Sequence, residues 1–128
     1  MEFLMTKKEL LDGYPGLRRK LLRALINHII AAHRDISFRA AKWKKHVLPR
    51  EAEIFRRIVG EPIQDGQSVD EFAPTKKYLV QKYGDRYPKT WIRAEINELL
   101  ESSRSYPGAK YEKVLFPREY EKLKKLLE

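Results

Sequence analysis

Residues 13–50 read GYPGLRRKLLRALINHIIAAHRDISFRAAKWKKHVLPR, and the reading of this stretch decides the fold. It holds ten Lys/Arg (Arg18, Arg19, Lys20, Arg23, Arg34, Arg39, Lys42, Lys44, Lys45 and Arg50) against one acid, Asp35. That surplus of nine equals the formal net charge of the whole 128-residue chain, +9, and the other residues cancel at 17 Lys/Arg and 17 Asp/Glu. From Leu17 the apolar residues recur with a helical period. Leu17, Leu21, Leu22, Leu25, Ile26, Ile29 and Ala32 share one broad face, whereas Arg19, Arg23, Asn27 and Arg34 lie opposite, with Lys20 at the edge and Ile30 intruding. The pattern predicts an amphipathic helix over Leu17–Arg34, about 27 Å long, with a cationic outer stripe.

A second helix is expected over Ile36–Leu48, with a different cross-section. Its apolar stripe is thin, Ile36, Ala40, Trp43 and Val47, with Arg39, Lys42 and His46 beside it and Lys44 and Lys45 further round. Trp43 could stack on a base, but its spacing with Ile36, Ala40 and Val47 favours core packing. One contact line and several basic sides suit a helix that lies on another surface.

Outward from this stretch the elements are short. Residues 1–12 suggest a helical lead with Phe3, Leu4, Leu10 and Leu11 available to pack, stopped by the turn Gly13-Tyr14-Pro15-Gly16. Pro49 stands where a first-turn proline belongs, with Glu51 and Glu53 at the positive end of a third helix that stops at Gly60 and turns Phe55, Ile58 and Val59 inward. Glu61–Gln67 is a polar loop and the natural seam between halves. Ser68-Val69-Asp70-Glu71 fits a capping box, and Pro74 restarts the helix that carries Tyr78, Leu79 and Tyr83 to Gly84. Pro88 opens a helix with Trp91, Ile92, Ile96, Leu99 and Leu100 inward. Residues 110–116 read as a short strand or extended segment, and a last helix from Pro117 buries Phe116, Tyr120, Leu123 and Leu127. No internal repeat or low-complexity run stands out. The chain reads as all-α: a basic helical arm, residues 1–60, followed by a small helical bundle, residues 61–128.

Composition narrows the function. With no cysteine there are no disulfides or thiolate metal sites. The opening MEFLMTKKELL has an acid at position 2 and no unbroken apolar run, so no secretory signal is expected, and LLRALINHIIAA is too short and too interrupted to span a membrane. A soluble protein is expected. Charged residues make up 35% of the chain while Asn and Gln are scarce, the balance found in proteins of hyperthermophiles. His33-Arg34-Asp35 spells the catalytic triplet of protein kinases, but the glycine-rich loop and strand lysine of that fold are missing. His28 and His33, five apart, do not share a metal-binding face and read as hydrogen-bonded structural residues. No nucleophile–base set, phosphate loop or dinucleotide fingerprint appears, so neither an enzyme nor a cofactor is expected.

A cationic stretch without acids repels itself unless a polyanion relieves it. Duplex DNA carries one charge per about 1.7 Å of axis, so nine or ten cations would neutralise about five base pairs. The expected phosphate contacts are Arg18, Arg19, Lys20, Arg23, Arg34, Arg39, Lys42, Lys44, Lys45, His46 and Arg50, with arginine favoured for bidentate contact. Three other readings compete. A winged-helix regulator would use helices 74–83 and 88–102 and a hairpin near Pro107-Gly108, but its recognition helix would carry Glu95, Glu98 and Glu101. A cellular nucleoid protein would share the basic surface. A membrane-surface helix at 17–34 would lack Trp and Phe on its apolar side.

Basic helices at the N-terminal side, with a nearly neutral Tyr- and Leu-rich half from Ser68 to Glu128, resemble in outline the major capsid proteins of filamentous viruses of hyperthermophilic archaea. The resemblance implies an arm that clasps double-stranded DNA in A-form through Arg18-Arg19-Lys20, Arg23, Arg34, Arg39, Lys42, Lys44-Lys45 and Arg50. It also implies a bundle on the outside of the filament, many copies per virion, and pairing with a paralogous second subunit. The protein would reside in the virion, and in the host cytoplasm before assembly.

Overall fold

In the computed structural model, which describes residues 4–104 and 106–128, the chain is mostly helical, with eight α-helices and one two-strand ladder among those residues. Two compact units are formed, one ending at Gln64 and the other beginning at Asp65, so the division falls inside the polar loop.

The first unit opens with strand β1 (Met5–Thr6) and helix α1 (Lys7–Asp12). A longer helical lead is replaced here by a strand; Leu10 and Leu11 are buried as expected, Leu4 is exposed, and Phe3 lies outside the described residues. Thr6 caps α1 reciprocally: its hydroxyl accepts the Glu9 N–H at 3.1 Å and its own N–H donates to the Glu9 carboxylate at 3.2 Å. Helix α2 (Arg19–Arg34) stops at Asp35, which takes the left-handed conformation (φ 54°, ψ 53°) that Asp tolerates better than most residues. Packed against α1, α3 (Phe38–Lys42) and α4 (Pro49–Val59), α2 is covered on more than one side. For that reason Asn27, placed by periodicity on the polar face, is buried with Leu22, Ile26, Ile29 and Ile30, while Ala32 is exposed.

The expected helix over Ile36–Leu48 is not formed as one piece. Ser37 caps the short α3, whose last turn closes at Trp43, and the chain then extends into β2 (His46–Val47). β2 pairs antiparallel with β1, Met5 opposite Val47 and Thr6 opposite His46. The ladder satisfies backbone groups that a continued helix would have bonded internally, and Pro49 biases Leu48 away from helical angles. Trp43 therefore sits on the surface, 84% exposed, and not in a core. In α4, Phe55 and Val59 are buried but Ile58 is exposed; α4 ends at Gly60, whose φ of 118° only glycine adopts readily.

The second unit starts with α5 (Val69–Phe72), capped by the Ser68 hydroxyl, and α6 (Lys76–Tyr83), capped by that of Thr75, with Pro74 between them. Helix α7 (Lys89–Arg104) buries Ile92, Ile96 and Leu100; Trp91 is partly exposed and stacks on Tyr87 at 5.2 Å. The 110–116 segment is a 3-10 turn (Ala109–Tyr111) followed by a single bridge from Val114 to Thr75. Helix α8 (Pro117–Leu127) completes a core of Leu79, Tyr83, Ile92, Ile96, Leu100, Leu115, Tyr120, Leu123 and Leu127.

Among the described residues the two units follow a similar order of elements, with α5 present in the second alone and a single bridge in place of the β1–β2 ladder, and the chain does contain a repeat in sequence. Thr6-Lys7-Lys8 returns as Thr75-Lys76-Lys77, Arg23-Ala24-Leu25-Ile26-Asn27 as Arg93-Ala94-Glu95-Ile96-Asn97, and Pro49-Arg50-Glu51-Ala52-Glu53 as Pro117-Arg118-Glu119-Tyr120-Glu121. Buried positions correspond as well: Leu10 with Leu79, Tyr14 with Tyr83, Leu22 with Ile92, Ile26 with Ile96, Val47 with Leu115, Phe55 with Leu123, and Val59 with Leu127. Even the polar ties match. Tyr14 donates to the Gly60 carbonyl at 2.7 Å, and Tyr83 to a carboxylate oxygen of Glu128 at 2.7 Å, each at the end of its unit's last helix.

Candidate nucleic-acid interface

The central tie of each unit is a buried arginine–glutamate pair. Arg34, the last residue of α2, grips Glu51 through Nε and Nη2, both at 2.8 Å, and donates to the His46 carbonyl at 3.0 Å. Glu51 also accepts the Leu48 N–H at 2.8 Å and lies 2.9 Å from His33 Nδ1. Arg104, the last residue of α7, repeats this with Glu119 at 2.9 and 2.7 Å and with the Val114 carbonyl at 2.8 Å, while Glu119 takes the Phe116 N–H at 2.7 Å. Both carboxylates are fully buried. Burial would raise the Glu51 carboxyl, yet Arg34, the Leu48 N–H and His33 together hold it down at about 2. Arg34 is therefore occupied by its own fold, and of the eleven sequence-predicted contacts it is the one turned inward to a carboxylate.

The other ten are exposed, at different places on the first unit. Arg18, Arg19 and Lys20 stand at the start of α2, where no acid offsets them in the first turn and the helix dipole favours an anion. Arg19 is met by Asp12 at 2.8 Å, and Arg50 by Glu53 at 3.2 Å. Arg23 follows one turn along α2, and Arg39 and Lys42 lie on α3. Lys44 and Lys45 fill the turn before His46. Among the described residues, Lys20, Arg23, Arg39, Lys42, Lys44 and Lys45 take part in no ion pair.

Periodicity gave no sign of what β1 adds. The ladder brings Thr6, Lys7 and Lys8 beside Lys42, Trp43, Lys44 and Lys45, which together line an open notch. Lys7 is the fixed member: its Nζ donates to the Ala41 carbonyl at 2.8 Å and its N–H to the Lys45 carbonyl at 3.0 Å. Burial, then repulsion from Arg34 and Arg23, pulls its ammonium below the usual lysine value. His28, expected as a structural histidine, is exposed and packs on the Phe38 ring at 4.3 Å, while His33 has the Glu51 bond. Among the described residues no cluster of three or more His, Cys, Asp or Glu is placed to hold a metal ion, and no helix is long and apolar enough to cross a membrane.

The two units differ in charge although they share a fold. Residues 1–64 carry 14 Lys/Arg against 7 Asp/Glu, a net of +7, and residues 65–128 carry 13 against 11, a net of +2. Comparison with protein-family models, curated proteins and solved structures finds no match for the chain.

Proposed function

We propose that this is a non-enzymatic protein that coats double-stranded DNA, without regard to sequence, through phosphate contacts made mainly by its first unit. The observation that carries the reading is the set of exposed cations, Lys20, Arg23, Arg39, Lys42, Lys44 and Lys45, that have no acidic partner among the described residues. Such a surface gains little from its own fold and much from displacing counterions off a polyanion. These side chains sit on exposed helix faces and a turn, and lack the single projecting helix that reads base edges in a groove. The narrower form of the proposal is a coat subunit of a filamentous virion, which rests on the outline resemblance to archaeal viral capsid proteins. Copies of the chain, with or without a paralogous subunit, would then line the DNA.

Six phosphate contacts at about −0.9 each give an expected slope near −5 for log affinity against log salt on random-sequence duplexes. Lys20→Glu with Arg39→Glu should weaken binding at least tenfold at about 0.1 M salt. Lys89→Glu with Lys122→Glu, on the second unit, should change it by less than threefold. A thousandfold preference for one operator sequence, or binding indifferent to salt, sinks the coating model. Electron microscopy of the protein mixed with linear DNA tests the narrower form, which requires filaments of uniform diameter.

A further inference from the structure

The turn that carries Trp43 occurs twice. Ala41-Lys42-Trp43-Lys44-Lys45 in the first unit corresponds to Ala109-Lys110-Tyr111-Glu112-Lys113 in the second. Each aromatic side chain stands clear of its own unit, Trp43 at 84% and Tyr111 at 76% exposure. The backbone of each turn is tied by the corresponding lysine, Lys7 or Lys76. Lys7 N–H donates to the Lys45 carbonyl at 3.0 Å, and Lys76 N–H to the Lys113 carbonyl at 2.9 Å. The ammonium of Lys7 ties the Ala41 carbonyl at 2.8 Å, and that of Lys76 ties the Lys110 carbonyl and the Asn97 amide oxygen, the latter at 2.7 Å. Lysines line both notches, Lys8, Lys42, Lys44 and Lys45 in one, and Lys77, Lys110 and Lys113 in the other, where Arg93, Asn97 and Glu112 join them.

Nothing within either fold asks for an aromatic residue here, because neither ring fills a core. The two units have diverged at many surface positions, yet both keep a large flat side chain at this one. A solvent-facing ring on a tied turn, in a notch lined by lysines, matches one chemistry well: an unpaired nucleobase stacked on the ring, with its flanking phosphates against the lysines. Bases within a duplex have both faces covered and offer no such partner. A membrane surface would want contiguous apolar side chains around the ring, and the other side chains lining the two notches are charged or polar.

We infer that the Trp43 and Tyr111 turns are two corresponding stacking sites for unpaired nucleotides, so that the chain binds single-stranded nucleic acid at two points. This rests on the proposed function in that the polyanion is taken to be nucleic acid. The Trp43 site is the stronger, since indole stacks better than phenol and Lys44 stands where the second unit has Glu112.

The test uses the full chain with Trp91→Phe, which leaves Trp43 as the single tryptophan, excited at a wavelength where tyrosine does not absorb and titrated with a twenty-nucleotide oligo(dT), a blunt duplex of equal length, and phosphatidylglycerol vesicles. Oligo(dT) should quench Trp43 by at least twofold. In the otherwise native chain Trp43→Ala should weaken oligo(dT) binding about tenfold, Tyr111→Ala about threefold, and Tyr111→Phe hardly at all, while duplex affinity moves less than twofold in each. Duplex binding with no quenching by oligo(dT) and no effect of Trp43→Ala overturns the stacking sites and leaves the coating model intact. Quenching by oligo(dT) without duplex binding does the reverse. A fluorescence response to vesicles alone, or to none of the three, overturns the inference.

Discussion

At the residue scale the buried carboxylates decide most. Glu51 keeps its charge without solvent because Arg34 meets it with two parallel bonds and the Leu48 N–H adds a third. Its folded value of about 2 lies below the ordinary carboxylate value of 4.5, so the pair contributes stability in full above pH 4.5 and loses it as the pH falls toward 2. Thermal melts between pH 6 and pH 2.5 should show a drop that Glu51→Gln flattens, and at neutral pH that substitution should cost about 3 kcal/mol by stranding the Arg34 guanidinium. Glu119→Gln should cost a similar amount at neutral pH, and the two effects should add because the pairs share no partner. Replacing Arg34 and Glu51 together by Met and Leu should cost less than Glu51→Gln alone; a larger loss would contradict the assignment of the cost to an unpaired charge. The sequence shows Glu51 as an acid in the first turn of a helix. Its partner, 17 positions upstream, is hidden because a run of cations makes every arginine look alike.

At the scale of elements, boundaries set by glycine, proline and capping residues were legible: the stop at Gly13–Gly16, Pro49 and Pro117 opening helices, Ser68 as a cap, and the core face of α8, with that of α7 legible at Ile92, Ile96 and Leu100 but not at the exposed Trp91. The segment 36–48 was not. Ile36, Ala40, Trp43 and Val47 satisfy a helical period, but two residues from the distant lead, Met5 and Thr6, claim the backbone of His46 and Val47. A two-residue ladder leaves no periodic trace, so no local pattern announces it. Lys7 secures the outcome, and its removal should be felt where it is tied. Lys7→Met should destabilise the protein by about 1.5 kcal/mol. The amide hydrogens of Trp43 and Lys44, which donate to Ala40 and Ala41 carbonyls, should exchange at least tenfold faster while those of α4 keep their protection. Uniform acceleration along the chain would show instead that Lys7 acts on global stability alone.

At the scale of the molecule, all-helical character followed from periodicity, and the surplus of charge toward the N-terminal side followed from counting. The duplication escaped because its offset drifts: Thr6 to Thr75 is 69 positions, Arg34 to Arg104 is 70, and Glu51 to Glu119 is 68. A fixed-period comparison loses register at each connecting loop, and charge divergence, +7 against +2, masks what remains. Geometry restores it, since the Arg34–Glu51 and Arg104–Glu119 pairs make matching two-bond contacts at matching places in their units. With a separate core in each unit, fragments 1–64 and 65–128 expressed singly should each give a helical circular-dichroism spectrum and a cooperative melt. The melting temperature of fragment 1–64 should rise more steeply with added salt, because its charges repel one another.

The twin arginine–glutamate clasps carry a hazard as well as stability. During refolding, the Pro-Arg-Glu helix of one half presents to the arginine of the other the same carboxylate, the same proline entry and the same apolar spacing as the rightful helix. Neighbouring domains of like sequence are prone to such exchange, within a chain or between chains. What discourages it is unequal filling of otherwise equal slots. Tyr120 occupies the place that Ala52 holds in the other half, and Phe55 the place of Leu123. An exchanged helix therefore brings a ring where a methyl belongs, or leaves a void where a ring belongs. Divergence of the two cores thus serves as a key that tells each half which helix is its own.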